Sequence, residues 1–329
     1  MRWSSAPVRL LAKVLVSAGL LAFLFSKISV SQLFTLVREL DAGYMTAAVV
    51  LFLASNIIGG YQWHALLRSS GVRIPLHRTI RVYFVGLFFN NFLPASIGGD
   101  TVKVYDVSRI GSNVFQVVAV TMLDRIIGIF SLCLLAAVSV LALLKYRSMD
   151  TMWPYLVVFI ACMIPAAGFY IVKPLGRSIR WVVRLLLPPS WGTGGSRILG
   201  YLGEFRSKKT LILGLMLLSV VIQTMRVVTH VLVALALGVR VDPVVGGLFF
   251  VFVPLLSLAM IPPVTINGLG IREGLGIVLF ASAGIGKTDA FAIEFLTYAV
   301  SVVISLLGLA FFVGKRREGT EPKAGASVA

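Results

Sequence analysis

The chain has 329 residues, 58% of them hydrophobic and only 13% charged, with a mean hydropathy of +0.95. Soluble domains carry about 25% charged residues, so this composition excludes an ordinary soluble enzyme. The net charge of +17 therefore reports membrane orientation rather than nucleic-acid binding. Several apolar runs exceed about 18 residues and none alternates as barrel strands do, which predicts an all-α, polytopic membrane protein rather than a β-barrel.

Arg2, Arg9 and Lys13 flank an apolar run from about Val8 to Phe25. It meets Ser26-Lys27 with no A-x-A site, so it reads as an uncleaved first span. The charges of Lys27, Arg38, Glu39 and Asp41 cancel, placing that loop outside. A second span, Met45 to Leu67, leads to Arg68, Arg73, Arg78 and Arg81 with no acid between them, a cytoplasmic mark. Spans follow over Val114 to Leu144 and Met152 to Val172. Between Lys173 and Lys209 eight basic residues face Glu204 alone. Within that loop SIRWVVRLLL has the pattern of a basic amphipathic helix lying on anionic headgroups, and Pro188-Pro189 with Gly192 to Gly195 form a linker. Further spans run from Thr210 to Leu237 and from Phe291 to Val313, the last ending in Lys315-Arg316-Arg317.

The reading is one integral membrane domain, 1–329. Its parts are a first half (1–172), a basic cytoplasmic loop (173–209), a second half (210–314) and a disordered tail (315–329). Both termini lie on the cytoplasmic side of the cell inner membrane.

Two short stretches interrupt this pattern. Pro94 to Lys103 reads PASIGGDTVK and Pro263 to Arg272 reads PVTINGLGIR; they agree at Pro, Ile and the second Gly. Pro removes a helix donor and Gly permits conformations that other residues resist, so each marks a broken membrane helix. Counting crossings between the basic loops leaves none for Val82 to Ile97, and makes Val244 to Ile285 begin and end outside. The expectation is about six full spans plus two re-entrant hairpins in inverted halves, about eight membrane segments in all. Two short full spans over Val244 to Ile261 and Gly270 to Ile285 are the alternative for the second break.

Ionisable groups at membrane depth are costly and usually functional. Four are basic (Lys103, Arg125, Arg226, Arg272) and four acidic (Asp100, Asp124, Glu273, Glu294), so the set is neutral. Adjacent residues on a helix do not face each other, so Asp124 and Arg125 each need a partner elsewhere. Gln223, Arg226 and His230 form one polar stripe, and Glu294, Tyr298, Ser301 and Ser305 another. Asn90, Asn91, Ser96, Thr265 and Asn267 add hydrogen-bonding groups at the breaks. The plain structural account is that these charges only pair and knit helices together. The functional one is that the four cations hold a lipid phosphate near helix N-termini.

Catalytic signatures are absent from the sequence. There is no H-E-x-x-H and no G-x-S-x-G. Gly286-Lys287-Thr288 resembles the end of a P-loop, but Ala281 replaces its first Gly, and Gly268-x-Gly270 has no Rossmann unit around it. Cys133 and Cys162 lie in apolar runs without metal spacing. No cofactor, no metal and no enzymatic activity are expected.

Three motifs in order, NNFLPASIGGD, LDRIIG (Leu123 to Gly128) and PPVTINGLGIREG (Pro262 to Gly274), resemble the flippase-like membrane domain of the lysylphosphatidylglycerol synthases. The resemblance implies a domain that moves a phospholipid or a lipid-linked sugar between leaflets. It carries over Asn91, Pro94, Gly98 and Gly99, then Asp124 and Arg125, then Gly268, Gly270, Arg272 and Glu273. The C-terminal synthase domain is missing from the match, so aminoacyl transfer is not carried over and a stand-alone member is expected. The alternatives are a non-transporting scaffold for a lipid-modifying enzyme or glycosyltransferase, docked through the basic loop, and an intramembrane enzyme.

Overall fold

A computed structural model of the protein describes residues 38–92, 98–171, 194–261, 268 and 270–318. The expected first span, the SIRWVVRLLL stretch and the residues beyond Glu318 lie outside these. Among the described residues all regular structure is helical.

The helices are α1 (Ala42–Ser69), α2 (Leu76–Phe92), α3 (Gly98–Ser108), α4 (Val114–Leu143), α5 (Met149–Ile171), α6 (Gly194–Glu204), α7 (Lys209–Ala236), α8 (Pro243–Ala259), α9 (Ile271–Ser282) and α10 (Lys287–Glu318). Capping side chains set several starts. The Asp41 carboxylate accepts from the Gly43 and Tyr44 amides at 2.7 and 3.1 Å. Asp242 accepts from Val244 and Val245, both at 2.8 Å, with Pro243 in the first helical position. Asn113 accepts from Phe115 at 3.0 Å. Each such cap satisfies amides that the helix itself leaves unpaired.

Four helices, α1, α4, α7 and α10 over Lys287–Gly314, are long and apolar enough to cross a membrane. At about 1.5 Å per residue, α2 and α8, each of 17 residues, fall just short of a hydrocarbon core of about 30 Å. With 11 and 12 residues, α3 and α9 fall far short.

These lengths form a pattern. Helices α1 to α4 have 28, 17, 11 and 30 residues, and α7 to α10 have 28, 17, 12 and 32. The contacts follow the same exchange. Helix α1 packs on α7. Helix α2 packs on α10, and correspondingly α8 on α4. Both α2–α3 and α8–α9 are packed pairs. The helices α5 and α6 stand outside this exchange and pack on α4.

Large apolar side chains such as Val138, Leu213, Leu217 and Val278 face outward, as they do where lipid is the solvent. Lipid tails compete equally well for such surface, so helices in a bilayer associate through close packing of small residues. Gly308 of α10 lies against the Phe84 carbonyl and Phe88 of α2, and Gly99 of α3 against the Gly86 carbonyl of α2. Phe249 and Phe252 of α8, Phe280 of α9 and Phe291 of α10 fill one core, and Trp63 and Leu66 of α1 with Val120 and Leu123 of α4 another.

Two boundaries differ from the expectation. The Gly192 to Gly195 linker gives way at Gly194 to α6, whose Ile198 and Leu202, four apart, bury one face with Phe205 against α4. That burial outweighs the helix cost of its glycines. Helix α10 runs past Val313 to Glu318.

A bulky side chain at Gly308 should force α10 away from α2. Gly308→Val is expected to cost about 1–3 kcal/mol and to lower the unfolding temperature in detergent. Gly214→Val, at a position open to the surroundings, should leave it nearly unchanged.

Candidate functional site

At both breaks a short helix begins inside the bundle, and each start is stabilised by a nearby side chain. The Gly99 amide of α3 donates to Asn90 Oδ1 of α2 at 2.9 Å. At the second break Glu273 reaches back to accept from the Gly270 amide at 2.6 Å. Gly268 and Gly270 have φ of +77° and +85°, a region that glycine enters without strain. A Cβ at Gly268 would also strike Met260.

Asp100, in the first turn of α3, joins three elements. Its carboxylate holds Lys103 Nζ at 2.7 Å and also pairs with the Arg125 guanidinium of α4. Lys103 is further enclosed by the rings of Trp63 and Tyr83, at 5.3 and 5.1 Å from their centroids. Asp124 points to a different neighbour and accepts from Gln62 Nε2 of α1 at 2.8 Å. Gln223 of α7 donates to the Gly128 carbonyl at 3.2 Å, closing α7 onto α4.

These groups line a cavity of about 390 Å³. Asn56 and Gln62 come from α1, Tyr83 and Asn90 from α2, Asp100 and Lys103 from α3, Asp124 and Arg125 from α4, Gln223, Arg226 and His230 from α7, and Ser257 from α8. Three cations and two carboxylates leave it one positive charge. The cations are not equivalent. Lys103 is 9% exposed and committed to Asp100, whereas Arg125 is 45% exposed. Among the described residues the Arg226 side chain makes no ion pair or hydrogen bond.

The other charges form a separate, sealed group. Arg272 of α9 lies 3.3 Å from Glu273 and 3.4 Å from Glu294 of α10, and stacks 4.7 Å over the Tyr298 ring. None of these four lines the cavity. His230 connects the two groups, since it lines the cavity and places Nε2 3.7 Å from Glu294 Oε1. The neutral set of eight charges is thus divided, with one net positive charge at the cavity and one net negative charge behind it.

A family model described as the lysylphosphatidylglycerol synthase TM region matches residues 10–308. The chain belongs to this family. As a family member it is a multi-pass membrane protein, in accord with its four membrane-length helices. A UPF0104 membrane protein of Pyrococcus horikoshii is 22% identical, over 93% of this chain and 96% of its own length. A UPF0104 membrane protein of Methanothermobacter thermautotrophicus is 23% identical over 84% of each chain. The glycosyltransferase AglD of Haloferax volcanii is 26% identical over 92% of this chain, which spans about half (53%) of that protein. No solved structure matches.

The site positions expected from the sequence, by charge at membrane depth or by family motif, divide in the same way. Asp100, Lys103, Asp124, Arg125 and Arg226 meet at the cavity. Arg272, Glu273 and Glu294 meet behind it. Asn91 turns away from the cavity toward α10, donating to the Ser301 carbonyl at 3.4 Å. Gly98 and Gly99 open α3, and Gly268 and Gly270 precede α9. Pro94, Ser96, Thr265 and Asn267 lie outside the described residues. Gln62 was not singled out in the sequence, although a glutamine inside an apolar span is itself a signal.

Removing Asp100 strands Lys103 among aromatic rings, whereas removing the half-exposed Arg125 leaves Asp100 paired with Lys103. Asp100→Asn is therefore expected to cost about 3–5 kcal/mol and Arg125→Gln clearly less. Thermal unfolding of the purified variants, followed by loss of monodispersity, ranks the two.

Proposed function

We propose that this family member is a lipid translocase. A phospholipid or lipid-linked headgroup passes through the charged cavity while its acyl chains stay in the bilayer. No covalent bond is made or broken. The observation that carries this reading is a net-positive cavity lined by two guanidiniums, the half-exposed Arg125, which also pairs with Asp100, and Arg226, in the middle stretches of α4 and α7. Guanidinium forks match phosphate oxygens in charge and geometry.

In this reading α2–α3 and α8–α9 are two re-entrant hairpins that enter from opposite faces. The recurrence of helix lengths and the exchange of packing partners support two inverted halves around the cavity. With the long helices they make about eight membrane segments. Both termini lie on the cytoplasmic side of the cell membrane. Support for that orientation comes from the basic stretches at Arg68 to Arg81, at Lys173 to Lys209 and after Val313.

The likeness to a protein named a glycosyltransferase favours a second reading, a scaffold that docks a lipid-modifying enzyme or glycosyltransferase through the basic stretch 173–209. Neutralising that stretch would then abolish co-purification of the partner enzyme and leave lipid movement intact.

Translocation is tested with a headgroup-proximal fluorescent phosphatidylglycerol in reconstituted vesicles and a membrane-impermeant quencher. Loss of a charge-assisted phosphate contact predicts about a tenfold or greater fall in rate for Arg125→Ala and for Arg226→Ala. Arg240→Ala, outside the cavity, should match wild type. Equal rates in all four proteins would overturn the reading.

A further inference from the structure

The sealed group behind the cavity carries two carboxylates and one guanidinium. Glu273 is satisfied, because one oxygen accepts from the Gly270 amide at 2.6 Å and the other faces Arg272 at 3.3 Å. Glu294 is 0% exposed, and among the described residues neither of its oxygens has a hydrogen bond. Arg272 sits 3.4 Å from it without hydrogen-bond geometry. One negative charge is left over at membrane depth, where an uncompensated ion is costly.

His230 supplies the missing piece. Its Nδ1 lies 2.9 Å from the Arg226 carbonyl oxygen. A carbonyl only accepts, so Nδ1 carries a hydrogen, and in the neutral ring Nε2 is bare. That bare nitrogen faces Glu294 Oε1 at 3.7 Å. A lone pair facing a carboxylate oxygen repels it unless a proton resides on one of them.

The helix recurrence shows how local this chemistry is. Trp63 of α1 and Thr121 of α4 occupy the turns that correspond to His230 of α7 and Glu294 of α10. There the indole simply donates to the hydroxyl at 3.3 Å. The same contact is a neutral hydrogen bond in one set of helices and an ionisable pair in the other.

We propose that His230 and Glu294 form a one-proton site that connects the cavity to the sealed Arg272 group. A proton from cavity water adds to Nε2, giving an imidazolium beside a carboxylate, and then passes to Oε1, giving neutral imidazole and carboxylic acid. His230, 14% exposed, is the wet end, and Glu294 is the dry end. The charged groups facing the pair are Arg272 and Glu273 from α9, with the Arg226 backbone carbonyl from α7 and the Tyr298 ring on α10 itself. From α2, Asn91 meets α10 at Tyr298 and Ser301, and Arg81 lies far along α10 against Phe311. The site does not require the translocase reading. Coupling of that proton to headgroup movement does.

Infrared difference spectra of the purified protein between about pH 5 and 9 test the site. A protonated carboxyl band that vanishes on deprotonation is expected in wild type and is expected to be lost in Glu294→Gln. No such band, or the same band in both proteins, would overturn the proposal. Should Glu294→Gln fail to fold, ¹⁵N-histidine spectra of wild type decide, because only three histidines are present. A neutral His230 with its hydrogen on Nε2 throughout would also overturn it. In vesicles, a one-proton coupled step changes the wild-type lipid rate by up to about tenfold per pH unit, and Glu294→Gln should be flat. A carboxyl band with no lipid movement in any protein would support the proton site and defeat the translocase reading.

Discussion

A charge in hydrocarbon must find its counter-charge inside the protein, and so must every amide that a broken helix exposes. Asp100 meets both demands at once. It lies in the first turn of α3, where an acid favours the helix N-terminus. The same carboxylate gathers Lys103 and Arg125, tying the break to the long helix α4. Around this junction polar groups of α1, α4 and α7 line the cavity.

The second break solves the same problem with different partners. Glu273, in the corresponding turn of α9, spends one oxygen on its own helix start and the other on Arg272. Nothing there opens to the cavity directly, and Arg272 is capped by Tyr298. Two similar helix arrangements thus carry unlike chemistry, a net-positive group lining the cavity and a buried net-negative group behind it. His230 is the one side chain of the described residues that belongs to both. This division leaves three cations against two carboxylates at the cavity and two carboxylates against one guanidinium behind it.

Much of the helical frame could be read along the chain. The span expected from Thr210 to Leu237 differs from α7 by a residue at each end, and that from Val114 to Leu144 from α4 by a residue at one end, because length and apolarity alone define a membrane helix. The breaks were legible because Pro and Gly act locally. That Asp124 and Arg125 need different neighbours followed from helix geometry. Which neighbours they take did not, since Gln62 and Asp100 are distant in sequence. Helix α6 was hidden because its glycines resemble a linker until Ile198, Leu202 and Phe205 find α4 to pack against.

By itself the sequence determined the solvent of this protein, its four longest helices, the places where two others stop, and a neutral set of buried charges. These follow from composition and local backbone chemistry, which act over a few residues. Only the tertiary structure decided how the charges divide. It enclosed Lys103 and Arg272, set Arg226 and the Asp100-paired Arg125 at the cavity, and brought Nε2 of His230 against Glu294. Pairing among eight ions depends on distances between helices, and no spacing along a chain encodes which of several equal and opposite charges will meet.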